Sequence, residues 1–383
     1  MAGPVTVVWD EALAAYDFGP QHPLRPARVQ LTMALARHCG LLEPVRLVGP
    51  AAISGTDLAR VHDLDYLAAV KAAGRGEPEP LFGFGPGDNP PFPAMHQAST
   101  LVCGATVAAA EAIRSGRALH AFAPAGGLHH AMPDRASGFC VYNDPAVAIA
   151  WLLDQGVERI AYVDVDVHHG DGVEAIFADE PRVLTVSLHE SGRYLFPGTG
   201  FAHEVGRGAA QGTVANLPLP PSTTDDLYLP AFDALVPALV RAFQPEVLVT
   251  QLGCDTHYTD PLAHLGLTVG AYRQLAGRLH DLAHTVAGGR WLATGGGGYQ
   301  WAAVVPRAWC AYLAEMVGAE LPERLPQAYL DEAAERFGAT LDPDMADEVV
   351  ALRSEHRSRV EAELGRTIEV ARSNLFPLHG LTA

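Results

Sequence analysis

The stretch Ala161-Tyr-Val-Asp-Val-Asp-Val-His-His-Gly-Asp-Gly172 sets two carboxylates and an imidazole, Asp164, Asp166 and His168, at every second residue among valines. On a strand that period turns these three to one face and Val163, Val165 and Val167 to the other. The apolar lead-in from Ile160 to Val163 argues for a buried central strand. Ionised groups buried without partners are costly, so a divalent cation is the economical neutraliser of such a row.

Other chemistry-bearing residues follow apolar runs in the same way. His129 and His130 come after Gly126-Gly127, Asp171 after His168-His-Gly, Asp255 after the run 246–253, and Tyr299 after four glycines. Asp166, His168 and Asp255 would make a three-ligand site with positions left for water and substrate, as a catalytic metal requires. Asp164 is placed to orient a histidine. One imidazole of the His129-His130 pair could deprotonate an attacking water, and the Tyr299 phenol could donate to a developing oxyanion. The set has what metal-assisted amide hydrolysis needs, and two Asp and one His could hold Fe(II) as well as other divalent ions.

Plainer readings stand beside these. A strand Asp-x-Asp-x-His can be a solvated salt-bridge row, and Asp255 can cap a helix. Gly295 to Gly298 lack the Lys-Ser/Thr that a phosphate loop needs. His22, His62, His96 and His189 read as ordinary loop or core histidines, and Cys140 and Cys254 as small buried hydrophobes.

The elements that must carry these residues alternate between strand and helix. Strands are expected at 6–9, 47–48, 119–123, 160–168, 183–189, 246–253 and 291–294, and helices over about 28–39, 61–70, 95–113, 143–153, 225–243 and 272–287. Residues 74–93, rich in Gly and Pro, read as a long surface loop. This is the pattern of a single-domain α/β fold with a largely parallel multi-stranded sheet flanked by helices, whose ligand site lies beyond the carboxyl ends of the strands. The polar clusters all fall at such ends. Residues 1–320 are expected to form the catalytic domain. Residues 321–383, with charged amphipathic helices at 331–336 and 347–370, are expected to be a C-terminal extension packed on it.

Composition narrows the classes. The chain has 383 residues, 49% hydrophobic and 18% charged, and no apolar run nears the roughly 20 residues that span a bilayer. With 26 basic and 44 acidic residues the net charge is -18, which disfavours nucleic acid and favours cationic substrates. No membrane partner is expected. Five scattered cysteines without a C-x-x-C pair suit reduced thiols, and the start lacks a signal-peptide pattern, so the cytoplasm is the expected location.

Six segments, Gly126-Gly-Leu-His-His-Ala131, Ser137-Gly-Phe-Cys-Val-Tyr-Asn-Asp144, Asp164-Val-Asp-Val-His-His-Gly-Asp-Gly172, Phe196-Pro-Gly-Thr-Gly200, Gln251-Leu-Gly-Cys-Asp255 and Gly295-Gly-Gly-Gly-Tyr299, resemble the zinc-dependent histone deacetylase family over residues 5–315. Within it, the chain looks most like the bacterial acetoin-utilisation deacetylases (AcuC type). The resemblance implies the arginase-deacetylase fold and hydrolysis of the acetyl amide of N6-acetyl-lysine in proteins, acyl-CoA synthetases among the expected substrates. It makes Asp166, His168 and Asp255 the zinc ligands, Tyr299 the carbonyl-polarising donor, His130 the general base and His129 its electrostatic neighbour. Asp164 and Asp171 pair with His129 and His130. Phe139 and Phe196 become the walls of an acyl-lysine tunnel, Asp88 a rim carboxylate, and Arg28 part of an internal product-exit cavity. Potassium is implied at Asp164, Asp166, His168, Ser187 and Leu188, and a second potassium near Phe177 and Val183. Leu128 and Leu195 depart from the aromatics common in the eukaryotic branch, which implies a differently shaped cavity and rim. Two rival functions are an acetylpolyamine amidohydrolase and a catalytically silent acyl-lysine binding protein.

Overall fold

Eight short apolar runs pair side by side, all parallel, in the order β2-β1-β3-β8-β7-β4-β5-β6. The strands are β1 (Val5–Val8), β2 (Val45–Val48), β3 (His120–Ala123), β4 (Ile160–Asp164), β5 (Val183–Glu190), β6 (Val214–Leu219), β7 (Val247–Gln251) and β8 (Trp291–Thr294). A computed structural model describes residues 3–77 and 79–382. A parallel sheet needs crossover helices, and these bury both of its faces, which is why strands such as Val247-Leu-Val-Thr-Gln251 are buried along their whole length.

Alternate residues feed two separate cores. Ala161, Val163 and Leu248 pack with the helices Ala27–His38, Asp225–Phe243, Val269–Ala287 and Val305–Val317. Ile160, Tyr162, Val247 and Val249 pack on the other side with Leu64–Ala73, Met95–Arg114 and Asp144–Asp154. The expected α/β class is therefore what the chain adopts. No helix among the described residues is long and apolar enough to cross a membrane.

Three local expectations need correction. β4 ends at Asp164, so Asp166 and His168 do not lie on a strand face. Their backbone leaves the ladder because side chains take over its hydrogen bonds: Asp166 N–H donates to Asp164 Oδ1, His168 N–H to Asp166 Oδ1 and Val167 N–H to Asp255 Oδ1. β6 was not expected at all. Pro218 lies within it, and a proline is tolerated there because β6 is an edge strand with one unpaired side. Finally, residues 347–353 are irregular, and the last long helix is Ser354–Leu375.

That last helix buries Val360, Leu364, Ala371 and Leu375, a stripe at helical spacing, against β6 and the Asp225–Phe243 helix. The irregular segment before it is tied down by one carboxylate. Asp347 Oδ2 accepts from Val269 N–H at 2.9 Å and lies 3.0 Å from His257 Nε2, while its Oδ1 meets Arg307 at 2.9 Å.

Candidate active site

The carboxyl ends of β3, β4, β7 and β8 are neighbours in the sheet, and each runs into a loop that carries one polar cluster. β3 leads to His129 and His130, β4 to Asp166 and His168, β7 to Asp255, and β8 through Gly295–Gly298 to Tyr299. All of them, with Asp164 and Asp171, come together in one crevice.

Asp166, His168 and Asp255 converge in a buried group. His168 Nδ1 lies 3.1 Å from both Asp166 Oδ1 and Asp255 Oδ2. The helix-cap alternative for Asp255 fails, since its carboxylate is spent on Val167 and His168. Gly297 packs so closely that a Cβ there would overlap the Asp255 carboxylate, which explains a glycine just before the tyrosine segment. Among the described residues neither Asp166 nor Asp255 pairs with a lysine or arginine. Burial opposes charge on His168, yet its hydrogen bonds to the two carboxylates outweigh this and raise it to about 10. Burial and the like charge of Asp166 push Asp255 up to about 6. The pair of carboxylates thus demands positive charge at this point, and a divalent cation satisfies it with His168 neutral. Two carboxylates and one imidazole, buried and convergent, fit a zinc or ferrous ion.

The histidine pair is held from behind. His129 Nδ1 lies 2.7 Å from Asp164 Oδ2, His130 Nδ1 lies 2.6 Å from Asp171 Oδ1, and the two Nε2 atoms are 3.0 Å apart. Since each Nδ1 donates to a carboxylate, one Nε2–H must donate to the lone pair of the other. Burial disfavours the His129 cation, but Asp164 and Asp166 outweigh it and raise its pKa; burial and the His129 charge lower that of His130 against Asp171. His129 is then the donor and His130 the neutral acceptor.

Beyond His130 opens a pocket of about 210 Å³ lined by Asp88, Phe139, His168, Leu195, Phe196, Leu262 and Tyr299. The ring of Phe196 lies 5.1 Å from that of His130, and that of Phe139 5.7 Å from that of Tyr299. Phe139 holds φ at +68°, a conformation uncommon for a bulky residue, and Tyr16 Oη–H secures it by donating to the Phe139 carbonyl at 2.8 Å. Asp88 is exposed at the rim. Leu24 N–H donates to His22 Nδ1, so His22 Nε2–H donates to the Asp88 carbonyl at 3.2 Å and holds that loop.

Arg28 and Leu128 lie deeper, around a narrow cavity behind His129 and Gly297. Arg28 is buried over the Trp309 ring and donates to the Gly296 and Gly298 carbonyls, fixing the loop before Tyr299. Ser187 is in register with Asp164 on β5, followed by Leu188, while Phe177 ends a helix and Val183 opens β5. The remaining singled-out histidines are structural: His62 links Met132 to Asn143, His96 meets the Tyr142 hydroxyl, and His189 links Ser187 to Gly200. Cys140 and Cys254 are buried, and burial raises both thiols.

Sequence reasoning passed over four supporting groups. Gln251 donates to Asp166 Oδ2 at 2.7 Å and accepts from Gly253 N–H. Buried Asp144 accepts from Gly127 and Leu128 N–H and from Thr106, pinning the His129-His130 loop. Asp260 accepts from Tyr299 N–H at 2.9 Å, and burial together with Asp255 raises its carboxyl to about 7. Tyr162 Oη donates to Asp164. Only Tyr162 had a sequence signal, as the residue two before Asp164 on the same strand face.

A parallel α/β sheet with buried, metal-competent Asp and His residues beside a His–Asp-supported histidine pair is the arrangement that metal-assisted hydrolysis calls for. The comparisons with known proteins make this specific. Residues 22–316 match the Histone deacetylase domain family. The chain is 42% identical over 327 residues to the acetoin utilization protein AcuC of Bacillus subtilis (strain 168), covering 84% of each chain, and 38% identical to AcuC of Staphylococcus aureus (strain MRSA252), covering 79% of each. Its fold is similar to the crystal structure of an HDAC homolog from Aquifex aeolicus, with a TM-score of 0.84, 32% identity, and 96% of this chain and 100% of that one covered. The chain belongs to the histone deacetylase family, and it is an enzyme of the deacetylase class.

Proposed function

We propose that this enzyme removes the acetyl group from N6-acetyl-lysine in proteins, releasing acetate and the free ε-amine. The observation that carries the reading is His130. It is a buried imidazole backed by Asp171, and it lines the pocket between Phe139 and Phe196 that would take an acyl-lysine stem. A divalent ion, zinc in our reading, held by Asp166, His168 and Asp255 supplies Lewis acidity to the amide carbonyl and acidifies water.

The chain's own residues do the rest. Phe139 and Phe196 flank the apolar stem of the substrate lysine, and Asp88 stands at the rim to accept from substrate backbone. Once its Nε2 is released from the His129 Nε2–H, His130 takes the proton of the attacking water there, and Asp171 stabilises the imidazolium that results. Tyr299 donates its hydroxyl hydrogen to the carbonyl oxygen as that oxygen gains charge. His130 then returns the proton to the nitrogen as the C–N bond breaks. His129, with Asp164 behind it, orients His130 and tunes its proton affinity. Arg28 and Leu128 are assigned to the inner cavity through which acetate would leave. Residues 1–320 are read as the catalytic unit and 321–383 as its packed extension. Potassium at Asp164, Asp166, His168, Ser187 and Leu188, and a second one by Phe177 and Val183, would rigidify the loop after β4; activity measured across potassium concentrations tests it.

Kinetics on acetyl-lysine peptides, acetylated protein and acetylspermidine test the substrate. Higher kcat/KM on the lysine substrates is expected, and a strong preference for the polyamine would overturn the lysine reading. Tight binding of acetyl-lysine without turnover, by enzyme carrying its metal, would point instead to a silent acyl-lysine binder.

A further inference from the structure

His120 opens β3, at the far end of that strand from His129 and His130. Its side chain lies on the sheet face covered by the Val269–Ala287 helix, where His280 and His284 stand one turn apart and so share a helix face. The three imidazoles pack edge to face, with ring centroids 4.7, 4.9 and 5.2 Å apart. One ligand nitrogen from each falls within 4.8 Å of the others.

We infer that His120, His280 and His284 form a second binding site for a divalent transition metal, separate from the Asp166–His168–Asp255 group. Three features point to an ion rather than to stacked core histidines. First, the Nε2 atoms of His120 and His284 are 3.4 Å apart. Two nitrogens at about 2.0–2.1 Å from one tetrahedral zinc stand at roughly that separation. Second, buried His280 Nε2 has no hydrogen-bond partner, which a core histidine rarely tolerates. Third, His280 Nδ1 lies 2.8 Å from Glu315 Oε1, on the Val305–Val317 helix. A ligand histidine whose other nitrogen is held by a carboxylate is the usual support of a protein-bound zinc.

The surroundings suit an ion that enters from solvent. His284 is exposed, so a fourth position stays open to water. Gly289, with φ at +83°, lets the backbone pass the His284 ring, since a Cβ there would sit 2.9 Å from the ring's Cε1. Three neutral imidazoles select Zn²⁺, Ni²⁺ or Cu²⁺ over Mg²⁺ or Ca²⁺. Bound metal would tie β3 to the Val269–Ala287 helix and, through Glu315, to the Val305–Val317 helix.

Metal counting on tag-free protein dialysed with Zn²⁺ tests the site. The wild type should hold two equivalents, and His280→Gln/His284→Gln one, with kcat on acetyl-lysine peptide retained as proof of folding. Equal counts in the two proteins would overturn the proposal. A second measurement avoids that variant. In metal-stripped Asp255→Ala, Co²⁺ should bind one equivalent with the intense visible absorption of a tetrahedral ion, and adding Glu315→Gln should weaken it by about tenfold. No such absorption, or an affinity indifferent to Glu315, would also overturn it.

Discussion

The two ends of β3 face different electrostatic problems. At its carboxyl end, the loops bring together the buried carboxylates of Asp164, Asp166, Asp171 and Asp255 with imidazoles between them. At its amino end, three imidazoles meet, with the Glu315 carboxylate behind one of them. The first set carries negative charge into a dry place, so it demands a cation and commits backbone N–H groups, Gln251 and His168 to holding its oxygens. The second set brings no carboxylate between its rings, so it makes no such demand for charge. A buried carboxylate cluster therefore couples metal to chemistry, while an imidazole cluster couples it at most to local stiffness.

The comparison breaks most sharply at Asp255. Asp255→Ala should abolish turnover on an acetyl-lysine peptide and remove one metal equivalent, with the other kept at the histidine cluster; loss of both in elemental analysis would show that the two ends are not independent. His130→Ala should keep both equivalents yet lower kcat by about 10²–10⁴, the usual contribution of a positioned acid–base group. Tyr299→Phe should lower kcat by about 10²–10³ with metal unchanged. Unchanged turnover in either variant would remove that residue from the mechanism.

Asp347 sets a further limit on the comparison, because it is a buried carboxylate paired within the protein, with Arg307 and His257, and has no need of an ion. Burial opposes its charge, but His257, Val269 N–H and Arg307 hold it well below the usual carboxylate range. Asp347→Asn leaves Arg307 without its counter-charge and should cost about 3 kcal/mol in urea unfolding. A depressed folded pKa contributes stability above the unfolded value of about 3.9 and loses it as pH falls further, so the gap between wild type and variant should be full at pH 7 and shrink below about pH 4.

The sequence showed the carboxyl-end site well because its residues sit just past apolar strands, where a parallel sheet must place its ligands. It misjudged how they get there. A two-residue period suggested that β4 carries Asp166 and His168, whereas carboxylate-to-backbone bonds pull the chain out of the ladder after Asp164. Gln251, Asp144 and Asp260 were illegible as supports, since what makes them so is a partner 85, 17 or 39 residues away. β6 was hidden by Pro218, which reads as a breaker until its place at the sheet edge is known. The histidine cluster had half a signal, the one-turn spacing of His280 and His284. Its third member lies 164 residues from His284 and is brought there only by the packing of a helix on β3.

The smallest expected effect is the most discriminating for the amino-end set. His284 is exposed and its ring packs on those of His120 and His280, so His284→Gln in metal-free protein should change stability by no more than about 0.5 kcal/mol. Its kcat on acetyl-lysine peptide should equal that of wild type, because no element of the pocket rests on it. Added Zn²⁺ should then separate the two proteins. The ion binds the native state alone, so at about 100 times its dissociation constant it should raise wild-type stability by roughly 2.7 kcal/mol per site. The variant should gain only the share due to Asp166, His168 and Asp255. Equal gains in urea titrations with and without Zn²⁺ would mean that the amino end of β3 carries packed histidines and no ion, and the contrast between the two ends would reduce to one of polarity.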